Sequence, residues 1–486
     1  MASREELRAE RLKKLRLLRE KGIEPYPSRS ERTGTIVATI DLFEKLVGKS
    51  ATLAGRVTAL RKHGGVVFVD LADGSGGSIQ GLVRADSLAG NAYELFNETV
   101  DNGDFIEIAG TLLITRRGEK SIEAISWRML AKSLLPVPAA HFGIENEEER
   151  LRKRYLDILL RPELRAMIER RARFWSATRT FLAAEGFLEV ETPVLEHTTG
   201  GADARPFATR HHALQIPLYL RISAGELWQK RLMVAGFTKV FEIGRIFRNE
   251  GMSHEHAQDY TQMEFYMAYA DYHDGMKLVE RMYRHIAQEV FGTLVFTIGE
   301  YHVDLSRAWE DYDYTDTIQR ITGVDIRTAS LEELTRVIEK QGMKHDRDGW
   351  NHIRAIDTLW KHCRKKLAGP GFLVNVPKEM SPLAKTHRDD PTRVEQFQVI
   401  IAGSENGKGY SELNDPIDQA VRFEAQAALR EMGDEEAQMF DRDFVEALEY
   451  GMPPTCGFGF SERLFSFLSN VSIREAQIFP LLKPKP

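Results

Sequence analysis

"GRIFRNEGMSHEHAQDYTQMEFY", residues 244–266, is the stretch on which the fold turns. Apolar and polar residues alternate on either side of a polar turn, the period-2 pattern of two β-strands joined as a hairpin. Phe241, Ile243 and Phe247 on the first strand, with Phe265 and Met267 on the second, give the hairpin a face for a core. The opposite face is polar. Arg248 and Glu250 lie two apart, so on a continuing strand they share that face, and Tyr260, Glu264 and Tyr266 meet them from the return strand. An exposed, salt-bridged hairpin has similar polar composition, but its second face would not be apolar. Arginine is suited to bidentate contact with carboxylate or phosphate, and Glu250 can accept from an amine.

Working outward, residues 151–185 read as helix. Strand-like runs follow ("FLEVETPVL", "LYLRIS", "FQVIIAG", "GYSELND"), interspersed irregularly with helical ones. That order predicts a mixed, mainly antiparallel sheet flanked by helices, an α+β architecture. Pro193 ends one apolar strand before a glycine turn, in a segment suited to packing or dimer formation. In "GSENGKGYSELND", Glu405 and Glu412 flank a glycine-rich turn. Paired carboxylates near phosphate suit Mg²⁺, although an ordinary capped loop carries the same residues. In "GMPPTCGFGFSERLFSFL", alternating glycines permit close backbone approach, and Arg463 opens an apolar helix where phosphate would also meet the helix N-terminus.

Upstream, residues 50–133 change character. "ATLAGRVTAL", "GGVVFVDLADGSGGSIQGLV", "DFIEIAGTLLIT" and "SIEAISWRML" read as short strands between glycine-rich turns, predicting a small barrel of the OB-fold kind. Phe68 is a candidate for stacking on a base, with Arg61 and Gln80 as hydrogen-bonding partners. The valines around Phe68 equally allow a core position. Residues 3–21 read as a helix with eight basic and four acidic side chains, either a solvated helix or a phosphate-facing arm. The expected organisation is a helical lead-in over 1–48, the OB-fold over 49–135, a proline-marked hinge over 136–150, and a catalytic domain over 151–486.

Composition narrows the classes. A chain of 486 residues with 42% hydrophobic and 28% charged residues is long enough for two or three globular domains. A formal net charge of −6 gives no global basic signature, so any nucleic-acid surface must be local. Two distant cysteines, Cys363 and Cys456, exclude a disulfide framework or a four-cysteine zinc site. No apolar run approaches the roughly 20 residues of a membrane helix, and the basic start lacks the apolar core of a signal peptide. A cytoplasmic location is the expectation.

Taken in order, these segments resemble the signature motifs of the class II aminoacyl-tRNA synthetases. The OB-like region ahead of them is similar to the subgroup for lysine, aspartate and asparagine. "RYLDILL", "GGADARPF", "FRNEG", "MEFYMAYADY", "SELNDPIDQ" and "GMPPT…FPLL" are similar to the lysyl-tRNA synthetase family in particular. The resemblance implies ATP, lysine and tRNA as partners, Mg²⁺ with the nucleotide, and a homodimer. By it, Arg248 holds the α-phosphate and the amino-acid carboxylate, Arg463 and His256 approach the γ-phosphate, and Glu250 and Tyr260 hold the adenine. Arg248 and Arg463 are the implied catalytic pair. Glu405 and Glu412 hold the metal. Gly201 and Glu226 bind the α-amine, Glu264, Tyr266 and Glu412 bind the ε-ammonium, and Tyr410 belongs to the same lysine-binding set. Arg61, Phe68 and Gln80 match anticodon-reading positions. The chain departs from the family pattern at four places. There is an extra residue in "RISAGELWQKR". Glu255 replaces an arginine, Lys408 replaces an asparagine, and "GFGFSER" is one residue short. The neighbouring readings are an asparagine or aspartate enzyme of the same subgroup, an enzyme that lysylates a protein, and a non-catalytic RNA-binding paralogue. The acceptors in "MEFY" suit an ammonium, whereas an aspartate side chain needs a cation there.

Overall fold

The computed structural model describes residues 3–138, 146–202, 204–251, 256–344, 350–432 and 437–485. The expected hinge and Glu255 fall wholly or partly outside them. The chain divides into two compact units, Met1–Glu145 and Asn146–Pro486. Among the described residues no helix is long and apolar enough to cross a membrane.

The first unit opens with helix α1 (Arg4–Glu20), started by a capping box in which Ser3 and Glu6 bond each other's backbone N–H. Leu15 and Leu18 are buried, and Arg11 donates to the carbonyls of Ser133, Leu135 and Asn102. The helix is therefore tied to its own unit by one face, while Arg4, Arg8, Arg16 and Arg19 remain exposed. Five strands close into a barrel: β1 (Ser50–His63), β2 (Val66–Ala72), β3 (Ser78–Arg84), β4 (Phe105–Ile114) and β5 (Lys120–Ala131), in the order β1-β2-β3-β5-β4. Every pairing is antiparallel except β3 with β5. Val67, Val69 and Leu71 of β2 fill the barrel core, and the alternation turns Phe68 to the outer, half-buried face.

The second unit is built on one eight-stranded sheet. Its strands are β6 (Leu188–Glu189), β7 (Lys239–Phe247), β8 (Asp259–Ala268), β9 (Glu310–Asp313), β10 (Gly371–Val374), β11 (Gln396–Ile401), β12 (Ser404–Ser411) and β13 (Thr455–Ser461). The spatial order is β9-β10-β11-β12-β13-β8-β7-β6. Only the two outermost pairs are parallel, so the mixed, mainly antiparallel α+β expectation holds. "FLEVETPVL" is not one strand: around Pro193 it splits into Leu188–Glu189 and Leu195–Glu196, which join different sheets.

Two apolar layers sandwich this sheet. Helices α2 (Pro162–Ala184) and α3 (Tyr272–Phe291) cover one face, where Phe241, Phe265, Met267 and Phe458 join Phe174 and Met282 in a core. The other face carries Tyr266, Tyr410 and Leu373 against helices α4 (Leu331–Lys340) and α5 (His352–Cys363). The charged segment over 325–370 thus supplies two amphipathic helices to the face that bears the polar residues of the hairpin.

Candidate active site

The hairpin is real and in register: Glu242 lies opposite Glu264, Gly244 opposite Gln262 and Ile246 opposite Tyr260. One expectation is corrected. Arg248 and Glu250 do not share a strand face, because β7 ends at Phe247. Beyond it the Arg248 N–H still bonds the Gln258 carbonyl at 2.7 Å, but Asn249 donates to Arg205 and Glu250 to the Arg248 carbonyl, which turns the chain out of the ladder.

Across the sheet, Tyr266 on β8 lies opposite Gly457 on β13, which lies opposite Tyr410 on β12. Two residues along the strands, on the same face, the row is Glu264, Gly459 and Lys408. The glycines are where this site is open. A Cβ on Gly457 would strike the Glu412 carboxylate and the Tyr266 ring, and one on Gly459 would come within 2.8 Å of Glu264 Cγ. The alternating glycines therefore form a floor between side chains that rise from the neighbouring strands.

Above this floor is an inner cavity of about 250 Å³, walled by Gly201, Glu226, Glu264, Tyr266, Tyr410 and Glu412 among others. Glu226 comes from the first turn of a helix (Glu226–Val234), and Gly201 sits against it with φ 88°. A Cβ on Gly201 would lie 2.7 Å from both Glu226 Cβ and Ser223 Oγ, so only glycine lets the backbone approach there. Gly225, in a left-handed conformation (φ 76°), caps that helix.

The cavity is acidic, and its carboxylates are buried. Glu226, Glu264 and Glu412 are each 5% exposed or less. Glu264 accepts from the Ala224 N–H at 2.7 Å, from Gln262 Nε2 at 2.6 Å and from the Tyr266 hydroxyl at 3.0 Å. Tyr410 donates to Glu226. Burial, then repulsion from Glu226, pushes the Glu264 carboxyl up to about 7. Burial also pushes Glu412 up to about 8, against the pull of Lys230.

Lys230 is the residue that sequence reading missed. It is fully buried, 2.7 Å from Glu226 and 2.6 Å from Glu412. Burial alone would lower its pKa, but the two carboxylates outweigh burial and hold it above its ordinary value. Half of the signal was visible, since Lys230 follows Glu226 by four residues on a helix. The bond to Glu412 comes from a distant part of the chain. Gln262 was also unassigned, although it lies two residues before Glu264 on the same face.

An outer cavity of about 240 Å³ adjoins the inner one, and Arg248, Gln262, Lys408 and Gly459 line both. Its wall adds Tyr260, Glu405 and Arg463. The Arg248 guanidinium lies 5.9 Å from the Tyr260 ring centroid and donates to the Ile222 carbonyl. Arg463 donates to the Glu405 carbonyl at 3.3 Å. The Glu405 carboxylate accepts from Trp360 Nε1 at 2.7 Å, which is how the 325–370 segment reaches the site. Glu405 and Glu412 line different cavities. Glu250 and His256 stand in the wall of neither; they flank residues 252–255, which lie outside those described.

On the barrel, Arg61 lies opposite Phe68, and Gln80 opposite Asp70 two residues on. The three predicted residues therefore share the outer face. Arg61 makes a bidentate pair with Asp70 at 2.7 and 2.9 Å, and Gln80 accepts from Ser121 at 3.3 Å.

Comparison with known proteins agrees with this geometry. Residues 146–483 match the family "tRNA synthetases class II (D, K and N)", and residues 51–130 match the "OB-fold nucleic acid binding domain" family. Lysine–tRNA ligase of Carboxydothermus hydrogenoformans is 43% identical, covering 98% of this chain and 97% of the relative. That of Roseiflexus castenholzii is 43% identical with 99% of both chains covered. That of Thermosipho melanesiensis is 41% identical over 99% of this chain and 96% of its own. An acidic cavity opening onto an arginine-edged one, an OB-fold elsewhere in the same chain, and full-length similarity of this extent give one conclusion: the chain belongs to the class II aminoacyl-tRNA synthetases, within the lysine–tRNA ligases.

Proposed function

We propose that this enzyme activates lysine with ATP and transfers it to tRNA, and that the inner cavity selects lysine by charge. The observation that carries this reading is the charge balance of that cavity. With all of them ionised, the three buried carboxylates outnumber the one buried ammonium, Lys230, by two. Lysine brings two ammonium groups. Glu226 beside Gly201 suits the α-amine, and Glu264, Tyr266, Tyr410 and Glu412 suit the ε-ammonium. An aspartate side chain would add a charge of the wrong sign, and asparagine would leave carboxylates unpaired.

The substrate carboxylate then lies at the mouth, beside Arg248. Its oxygen attacks the α-phosphorus of ATP, the bond to the bridging oxygen breaks, and pyrophosphate leaves. In the second step the terminal ribose hydroxyl of tRNA attacks the adenylate carbonyl, and AMP leaves. Neither step needs a protein nucleophile. Arg248 and Arg463 position the triphosphate and offset its charge, and Tyr260 gives the adenine a surface on which to stack. Glu250 and His256 complete the nucleotide contacts in this reading. Mg²⁺ fits the donor set: Glu405 lines the outer cavity and Glu412 keeps Oε1 without a hydrogen-bond partner. With phosphate oxygens, these hard oxygen ligands would hold the ion, which neutralises phosphate charge when bound. Leu188, Val194, Leu195 and Leu214, all at least 41% exposed, offer an apolar surface for a homodimer. Buried, unpaired Cys363 and Cys456 suit a reducing cytoplasm.

Pyrophosphate exchange across the twenty amino acids, followed by charging of bulk tRNA, tests the reading: lysine alone supports both. Exchange driven by asparagine or aspartate instead would overturn it.

Two further outcomes follow from particular residues. Burial pushes the Glu264 and Glu412 carboxyls up to about 7 and about 8. Bound ammonium favours their ionised forms, so protons must leave when lysine binds at lower pH. Affinity for lysine rises from pH 6 to pH 8.5, by up to about tenfold per pH unit for each carboxyl that must deprotonate. Calorimetry in buffers of differing ionisation enthalpy detects proton release at pH 7. A flat profile with no proton release would remove the charge-selection mechanism. On the barrel, Phe68→Ala removes a stacking surface worth about 1–3 kcal/mol per base. The expected loss is roughly 5- to 150-fold in kcat/KM for tRNA, with pyrophosphate exchange unchanged. Equal charging by the variant would move the anticodon contact elsewhere.

A further inference from the structure

Lys408 occupies a position with a chemical consequence. It sits on β12 between Gly459 of β13 and Gln398 of β11, two residues along from Tyr410. Its neighbour Gly459 has no side chain to cover it. The ammonium is exposed, 5.9 Å from the Tyr410 ring centroid, and lines both cavities at the seam where they meet. Although Glu264, Glu405 and Glu412 line the same cavities, Lys408 makes no ion pair with any described residue. By contrast, the buried Lys230 ammonium is held between two carboxylates.

Charge counting shows what a spare cation at the seam can serve. Once lysine has balanced the inner cavity with its two ammonium groups, its carboxylate remains at the mouth. The first chemical step drives this anion onto the α-phosphate, a second anion. Among the described residues, Arg248 and Lys408 are the cations that line both cavities at this junction. We infer that Lys408 is a catalytic residue of the adenylation step, whose ammonium contacts the attacking carboxylate and the α-phosphate oxygens and offsets their mutual repulsion. In this step the carboxylate oxygen forms a bond to phosphorus and the bond from phosphorus to the bridging oxygen breaks; Lys408 keeps its protons throughout. This rests on the lysine-activating reading proposed above. The opposite role, repelling the substrate's ammonium, would need Lys408 to act in the inner cavity alone, whereas it lines both.

The test compares wild type, Lys408→Met and Lys408→Arg in lysine-dependent pyrophosphate exchange, with ATP affinity measured separately by calorimetry without divalent metal. An exposed side chain makes folding failure an unimportant route to loss, and a thermal melt of each variant checks it. The expected result is a fall in kcat of about 10- to 1,000-fold for Lys408→Met, with the lysine KM changed by less than the kcat. ATP binding weakens several-fold, and Lys408→Arg retains most of the rate. An unchanged kcat with unchanged ATP affinity would overturn the inference. A lower lysine KM with intact kcat would also overturn it, because the cation would then be repelling substrate. If wild type itself shows no lysine-dependent exchange, the functional reading fails first, whatever the variant does.

Discussion

Glu264→Gln should raise the KM for lysine by roughly 30- to 1,000-fold, the equivalent of about 2–4 kcal/mol for neutralising one partner of a buried, hydrogen-bonded charge pair. The substitution keeps the shape of the side chain and the volume of the cavity. It removes the charge and leaves an amide that must donate as well as accept. Ala224 N–H, Gln262 and Tyr266 all donate to Glu264 in the native site, so an amide nitrogen placed among them would find a donor where it needs an acceptor. The effect should therefore fall on KM far more than on kcat, because the ammonium contact is made equally in ground and transition states. The same variant should lose part of the pH dependence of lysine binding, since one of the two titrating carboxyls is gone. Steady-state exchange kinetics over a range of lysine concentrations measures both. A variant with normal KM would place the ammonium elsewhere.

Arg248→Ala should act on the other axis. Arg248 lines both cavities and stands where carboxylate and α-phosphate must meet. A fixed guanidinium aimed at developing charge is worth about 2.7–4 kcal/mol, or about 10²–10³ in rate. The loss should appear in kcat for pyrophosphate exchange, with folding preserved, because the structural bond that the side chain makes to the Ile222 carbonyl is a single peripheral one. Normal exchange by Arg248→Ala would contradict the assigned role.

The sheet and its polar face were legible because a strand has period 2. Glu264 and Tyr266 had to share a face once Phe265 and Met267 were assigned to the core, and the structure agrees. The same rule failed at Arg248 and Glu250, because period 2 applies only while the ladder continues, and here it ends at Phe247. Phe68 was ambiguous for a related reason: in a run as apolar as "VVFVDLA", alternation does not mark which face is buried, and only barrel closure turns Phe68 outward. The least legible feature was the Glu226–Lys230–Glu412 arrangement. Its members come from one helix and from the residue just past the end of β12, far along the chain, and no local pattern encodes their meeting. Trp360 holding Glu405 is of the same kind: the helix carrying Trp360 was visible as a pattern, but its partner was not.

The most direct measurement is a crystal structure with lysine and a non-hydrolysable ATP analogue bound. The ε-ammonium should lie within about 3 Å of Glu264 and the Tyr266 hydroxyl, with the carboxylate beside Arg248 and the nucleotide phosphates in the cavity edged by Arg463. An ammonium directed away from Glu264, or nucleotide bound outside the cavity that Arg248 and Arg463 line, would contradict it.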